Sequence, residues 1–326
     1  MNDAHAQSIH FSQYYNAPML LNPANTGLMP ENDFRLGLNY RNQWATVPVP
    51  YTTFSAFADF KAFSNKESGG KNWLGLGGAF FNDVAGDGKL SLTRFEVFTA
   101  YHLALGEYSM LSMGLSGGYV QRSVNYTDLT FDSQWDGFSF NSNQPNNEKL
   151  GVVKTDYATV GAGLNYAYFP NDKVYMKFGV GAANINQPVE SFYGGKNQVM
   201  IRPVANVDVL YKAGDSWILN PSAYFATQNG SYELVFGSLF QVYLGGRQES
   251  YPIQFILGAY NRFGESVIGV VGFQWGKVQL MGSYDITISS LAPYDSGNGA
   301  IEFSLIYQGV WDGAKGRRTY NCPRFF

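Results

Sequence analysis

The sequence predicts an all-β fold: a transmembrane outer-membrane β-barrel of about 14 antiparallel strands, preceded by an N-terminal arm or plug. Three observations carry that prediction. Apolar residues alternate one in two along segments roughly ten residues long. The chain of 326 residues is 45% hydrophobic but only 14% charged, against about 25% in an ordinary soluble domain. Tyr and Trp gather at the ends of the alternating segments, as girdles do at the two membrane–water interfaces.

Composition excludes several other classes. Aromatics at 17% rule out disorder. Mean hydropathy is −0.18, and no stretch has the roughly 18 consecutive apolar residues of a spanning helix. A net charge of −3 without a basic block leaves no footprint for nucleic acid. The single Cys excludes an intramolecular disulfide framework and a Cys-based metal cluster. Ala4-His5-Ala6 fits the end of a signal-peptide cleavage site, but no apolar segment precedes it. The numbering therefore starts inside a trimmed precursor, or the match is chance.

Three regions follow in order. Residues 1–33 form the arm. They hold Pro18, Pro23 and Pro30 and lack alternation, yet carry Phe11, Tyr14, Tyr15, Met19, Leu20 and Leu21. That much apolar surface is expected to fold into the lumen, or across its inner mouth as a periplasmic cap. The arm residues put forward are Phe11, Tyr14, Tyr15, Pro18, Asn22 and Pro23. Residues 34–312 form the barrel. Expected strands are 34–43, 51–62, 73–82, 89–103, 108–122, 155–169, 173–184, 199–212, 215–228, 231–244, 251–262, 266–276, 277–288 and 299–310. In the first, Phe34, Leu36, Leu38 and Tyr40 share one face while Arg35, Gly37, Asn39 and Arg41 share the other. Residues 313–326 are a basic tail, expected on the periplasmic side with both termini.

With the first strand running outward, the longest links, 123–154 and 185–198, fall on the outer side. The turns at 170–172 and 213–214 fall on the inner side, matching short inner turns and long outer loops. The girdle residues are Trp44, Tyr51, Trp73, Tyr108, Tyr168, Tyr211, Trp217, Tyr251, Trp275 and Trp311. A soluble barrel with core aromatics is the competing reading, and it should carry more surface charge. A barrel of this width is not filled by its own side chains. Its inward charges include Arg35, Arg41, Lys61, Arg94, Glu96, Arg122, Arg202, Asp208, Glu233 and Glu302. Their mixed sign suits pairs that brace a lumen or hold a plug better than a one-sign constriction.

Candidate chemistry is sparse. His5, His10 and His102 do not cluster as metal ligands. A Ser-His-Asp hydrolase built on His102, near Glu96, lacks a G-x-S-x-G elbow. The segment 82–88 could offer oxygens to calcium but lacks EF-hand spacing, and reads as a Gly-rich turn. No catalytic residue, cofactor or metal is expected. In the outer loop, Phe131, Asp132, Gln134, Trp135, Asp136 and Phe138 combine aromatics with polar groups, as recognition surfaces do; a self-packed lid is the alternative. Arg317, Arg318, Cys322 and Arg324 suit docking to a periplasmic protein or to anionic lipid headgroups.

The segments FSQYYNAP and LNPANTG (11–27), LGLNYRNQW (36–44), FFNDVAGDGKLSLTR (80–94), GLSGGYVQR (114–122), ANINQP (183–188) and CPRF (322–325) resemble the PorP/SprF family. The resemblance runs over nearly the whole chain. It implies an integral outer-membrane protein without enzymatic activity, associated with type IX secretion and gliding motility. The partners it implies are a secreted adhesin with a type B C-terminal domain, and ring or peptidoglycan-binding lipoprotein components of the machinery. The expected function is capture or anchoring of such adhesins; the alternative is an outer-membrane channel for a small or hydrophobic solute.

Overall fold

The computed structural model describes residues 9–29, 32–45, 50–63, 72–86, 89–125, 129, 131–141, 144, 152–192, 195, 197–214, 216–244 and 253–311. The strands are β1 Phe34–Gln43, β2 Tyr51–Ala62, β3 Trp73–Ala85, β4 Leu90–Ala104, β5 Ser109–Asn125, β6 Val152–Asn171, β7 Val174–Ala183, β8 Arg202–Ala213, β9 Trp217–Gln228, β10 Ser231–Leu244, β11 Ile253–Arg262, β12 Ser266–Trp275, β13 Val278–Thr287 and β14 Asn298–Gly309. Every neighbour is antiparallel, and β1 pairs with β14 from Phe34↔Gly309 to Gln43↔Ala300, closing the sheet. Closure leaves no strand edge, the condition for a sheet to cross hydrocarbon without water. Among the described residues no helix is long and apolar enough to cross a membrane.

The expected strands are present, with β3 and β6 extending further than the alternation suggested. Once a strand leaves the apolar band its pattern fades while its hydrogen-bond ladder continues. The shortest outer link, Asn229-Gly230, holds both residues at positive φ (48° and 82°). That is the two-residue hairpin geometry whose twist matches the strands.

Parity sorts the wall. Leu36, Leu38, Tyr40, Phe95, Val97, Leu115, Leu164, Phe178, Leu219, Phe236, Val271 and Leu305 are exposed on the outer face, while Asn39, Arg41, Glu96, His102, Asn165, Gln241 and Glu302 are buried on the inner one. Tyr108, Tyr168, Tyr211, Trp217, Trp275 and Trp311 are exposed near strand ends, as a girdle requires. Trp73 is a correction. It is buried because β3 turns its odd positions inward, so it caps the lumen instead of meeting lipid. Tyr251 lies outside the described residues. A second difference is the lumen's apolar content. Val204, Val235, Leu239, Ile256, Ile268 and Val270 form one inward cluster, so β12 is apolar on both faces. The partner of that inner surface is the arm.

Candidate functional site: the occupied lumen and the outer loop

Residues 9–29 run through the barrel. Near Gly27 the arm touches residues close to the start of β1, here called the inner end. Ser12 and Gln13 meet residues of the opposite half. Rather than resting across the inner mouth, the arm spans the lumen.

Its outer end sits in a charge cluster. The Glu302 carboxylate accepts the backbone N–H of Ser12 (2.8 Å) and Gln13 (2.9 Å). Ser12 Oγ donates to Asp285 (2.6 Å). Arg41 reaches Asp285 and Glu302, each at 3.1 Å. Arg262 reaches Glu233, Glu265 and Asp285 at 3.2, 3.2 and 3.3 Å, and Arg202 lies 3.7 Å from Glu233. The two arginines nearest the arm are 2% exposed, so each charge depends on its partners for solvation. Register explains the gathering: Arg41 stands opposite Glu302, and Glu302 opposite Ser283, on adjacent strands.

The middle of the arm is aromatic and apolar. Tyr14 donates to Ser222 (2.7 Å) and stands edge-on to Tyr224 at 4.6 Å. Phe11, Ala17 and Met19 pack with Phe57, Phe81 and Phe98 on the other side of the lumen. Next comes a helical turn, Pro23–Asn25, whose N-terminal Asn22 accepts from Ala24 N–H. The same Asn22 amide donates to the Leu164 and Val180 carbonyls and to Asn165, each at 3.2 Å, while Asn165 donates to Asn25 (2.9 Å). The proline at the turn's first position fixes φ where no N–H is needed. Of the six arm residues named from sequence, Phe11, Tyr14, Pro18, Asn22 and Pro23 are buried, and Tyr15 packs against the apolar cluster.

At the inner end, Asp59 accepts Gly27 N–H (2.8 Å) and pairs with Arg35 (2.8 Å). Trp73 donates its indole N–H to Gly27 O (2.9 Å). His102 Nε2 faces Thr26 O at 2.8 Å, so this nitrogen carries the proton and Nδ1 accepts from Ser112 Oγ at 2.7 Å. Both side chains are buried beneath the arm, and the pair acts as a clamp on its backbone. Glu96 pairs with Arg94 instead.

Sequence reasoning missed the glycine seat under the arm. A Cβ on Gly75 would meet Thr26 O at 2.0 Å, one on Gly114 would meet Ala24 N at 2.3 Å, and one on Gly163 would meet Asn22 Oδ1 at 2.0 Å. It also missed Asp59, Arg262 and Asp285 as arm contacts. The inward parity of these residues was legible; the arm's path was not.

The outer loop holds a compact hairpin. Trp135 bridges Phe140, with ring centroids 5.0 Å apart. Asp136 accepts the N–H groups of Phe138 and Ser139, both at 2.8 Å, and these bonds hold its carboxyl below the ordinary 3.8. Phe131 N–H donates to Gln134 (3.1 Å), and Gln134 is buried while Asp132 is exposed. Phe138 is 94% exposed and Trp135 49%. The loop, expected as a recognition surface with a self-packed lid as the alternative, is thus packed on itself only in part. In the calcium candidate, Asp83 accepts from Thr53 (2.6 Å) while Asn82 donates to Thr93 (3.0 Å). The two belong to opposite faces of β3, so their oxygens do not converge, and no group of metal-ligating side chains occurs among the described residues. His5, Arg317, Arg318, Cys322 and Arg324 lie outside the described residues.

A closed 14-strand sheet with an apolar outer band, aromatic ends and a threaded lumen defines an integral outer-membrane barrel. The start of β1 and the end of β14 lie at its periplasmic end. The family model described as type IX secretion system membrane protein PorP/SprF matches residues 4–307, and the chain belongs to that family. No curated protein sequence matches it. Among solved structures, it is similar to the Ralstonia pickettii toluene transporter TbuX (14% identity, 90% of this chain and 93% of that one, TM-score 0.51). It is also similar to the Pseudomonas putida toluene transporter TodX (9%, 93% and 94%, TM-score 0.52) and to the CymD monoaromatic hydrocarbon channel (12%, 91% and 93%, TM-score 0.52). At these identities the likeness is one of fold.

Proposed function

We propose that this protein is an outer-membrane component of type IX secretion that captures or anchors a secreted adhesin carrying a type B C-terminal domain. Its periplasmic end contacts the secretion ring or a peptidoglycan-binding lipoprotein. Family membership supports the assignment to type IX secretion. The observation that carries the docking role is the arm: hydrogen-bonded through the length of the lumen, it leaves the loops as the working surface. The hairpin at 131–141, with Phe138 almost fully exposed, presents aromatic anchors of the kind that dominate protein interfaces.

Deleting 128–145 should leave a heat-modifiable barrel and cut recovery of the adhesin by about tenfold or more, as loss of interface anchors does. Mass spectrometry of the co-purified material reads the result. Unchanged adhesin recovery would refute the docking role.

A second reading is a channel for a small or hydrophobic solute. The comparisons support it better than they support adhesin capture, because the similar solved structures are hydrocarbon transporters and channels. A cavity of about 200 Å³ beside the arm supports it as well. Solute flux into vesicles holding the intact protein favours this reading; flux equal to that of protein-free vesicles, with the adhesin recovered, favours docking.

A further inference from the structure

β6 outgrows its neighbour on one side. It is 20 residues long and β7 only 10. Towards β5 it is paired from end to end, from Ser109↔Tyr168 to Asn125↔Val152. Towards β7, pairing reaches outward only to Ala162↔Ala182. Val160 is then closed off. Its carbonyl accepts Ile185 N–H (2.9 Å), and its N–H donates to Asn186 Oδ1 (3.0 Å). Asn186 Nδ2 donates to Ala158 O (2.8 Å). Backbone groups alternate in direction along an antiparallel strand, so the N–H and C=O of Lys154 and Asp156 point the same way as those of Val160. Among the described residues nothing pairs with them. The described part of the loop after β7 turns over the lumen instead, where Glu190 is buried and pairs with Arg122 at 2.8 Å.

This stretch of wall stands clear of hydrocarbon. Lys154 and Asp156 lie opposite Ser123 and Gln121 on β5, and Ser123 Oγ is 2.7 Å from Ser91 Oγ on β4. An open edge does not occur in lipid, but in water it is a template for another strand. From Val152 to Ala158 the edge runs about 20 Å, the length of an ordinary strand.

Two observations choose the occupant. Lys154 and Asp156 share the outer face, both are exposed, and neither forms an ion pair among the described residues. A strand running antiparallel to β6 meets Asp156 before Lys154. Opposite charges on cross-strand pairs therefore require a base followed two residues later by an acid. The edge is also continuous with the exposed aromatic hairpin, because residues 131–141 belong to the loop that joins β5 to β6. A second copy of this chain in the same membrane presents its β6 running the same way, so that edge cannot supply the antiparallel strand.

We propose that the open edge of β6 takes up an extended strand of the secreted adhesin, antiparallel to β6 and selected by a base placed two residues before an acid. The proposal rests on the docking reading and names its contact.

The probe is a short fluorescent peptide of Thr and Val with Lys two residues before Glu, titrated by anisotropy against the full chain in lipid discs, with empty discs as the blank. It should bind about tenfold more tightly than the same peptide with Lys and Glu exchanged, since two cross-strand pairs turn from attraction to repulsion. Directly opposite Asp156 and Lys154, the peptide's Lys and Glu turn their own N–H groups toward β6. N-methylation of those two should abolish binding, and N-methylation of the intervening Val should not. Asp156→Pro removes an edge N–H and no bond to β5, a position where a strand tolerates proline. It should cut both peptide affinity and adhesin recovery by about tenfold, whereas Asp156→Ala keeps the N–H and should lose only preference for the charge order. Lys154→Pro serves if Asp156→Pro gives no heat-modifiable barrel. No peptide binding, or binding indifferent to which side is methylated, overturns strand addition. Equal affinity for the two charge orders overturns the stated selection. Unchanged adhesin recovery in a heat-modifiable proline variant overturns the adhesin as occupant, while the docking reading itself falls only if deleting 128–145 also leaves recovery unchanged.

Discussion

Glu302→Ala is expected to release the arm from the outer half of the lumen and to open the barrel to ions. One carboxylate there accepts both Ser12 and Gln13 N–H groups and pairs with Arg41. Its removal strands two backbone donors and leaves buried Arg41 with Asp285 as its remaining carboxylate partner, besides Ser12 Oγ. Breaking a buried ion pair from one side costs about 3–5 kcal/mol, comparable with the whole stability of a small domain. The strands keep their own ladder, so the penalty falls on the arm. Protease should then cut within residues 9–29, and planar bilayers should show openings absent from the parent. Glu302→Gln keeps acceptor oxygen for the arm but loses the charge, and should fall between. An arm as protected as in the parent would show that the cluster does not hold it.

Gly114→Val is expected to be still more disruptive to docking, with an internal control on the same strand. Its Cβ would lie 2.3 Å from Ala24 N and 2.4 Å from the Pro23 carbonyl carbon. Both are backbone atoms of a proline-fixed turn, so neither yields as a flexible side chain would. Overpacking usually costs about 1–3 kcal/mol, and backbone clashes at this range exceed that, so the turn must leave its seat. Gly117 faces the bilayer with nothing within 4 Å of its Cβ position, and Gly117→Val should leave both arm protection and the heat-modification midpoint unchanged. Equal behaviour of the two variants would mean that the seat is not a close fit.

The two variants probe different supports. Glu302 belongs to an electrostatic hold whose strength depends on burial; Gly114 belongs to a steric hold that depends on absent side chains.

Much of this was legible in the sequence. Strand alternation sets which residues meet lipid, because the side-chain period is two and hydrocarbon tolerates one face only. Hence Leu36, Val97, Phe178 and Leu305 could be placed outside, and Arg41, Glu96 and Glu302 inside, without coordinates. The mixed sign of the inward charges foretold pairing, and the apolar arm foretold burial. What the tertiary structure alone decided is where distant segments meet: Ser12 with Glu302, Gly114 with Ala24, Trp73 with Gly27, and Asn220 with Leu28 beside one cavity. Alternation is local and repeats every two residues, whereas the arm's path and the partner of each inward charge depend on how the sheet closes on itself.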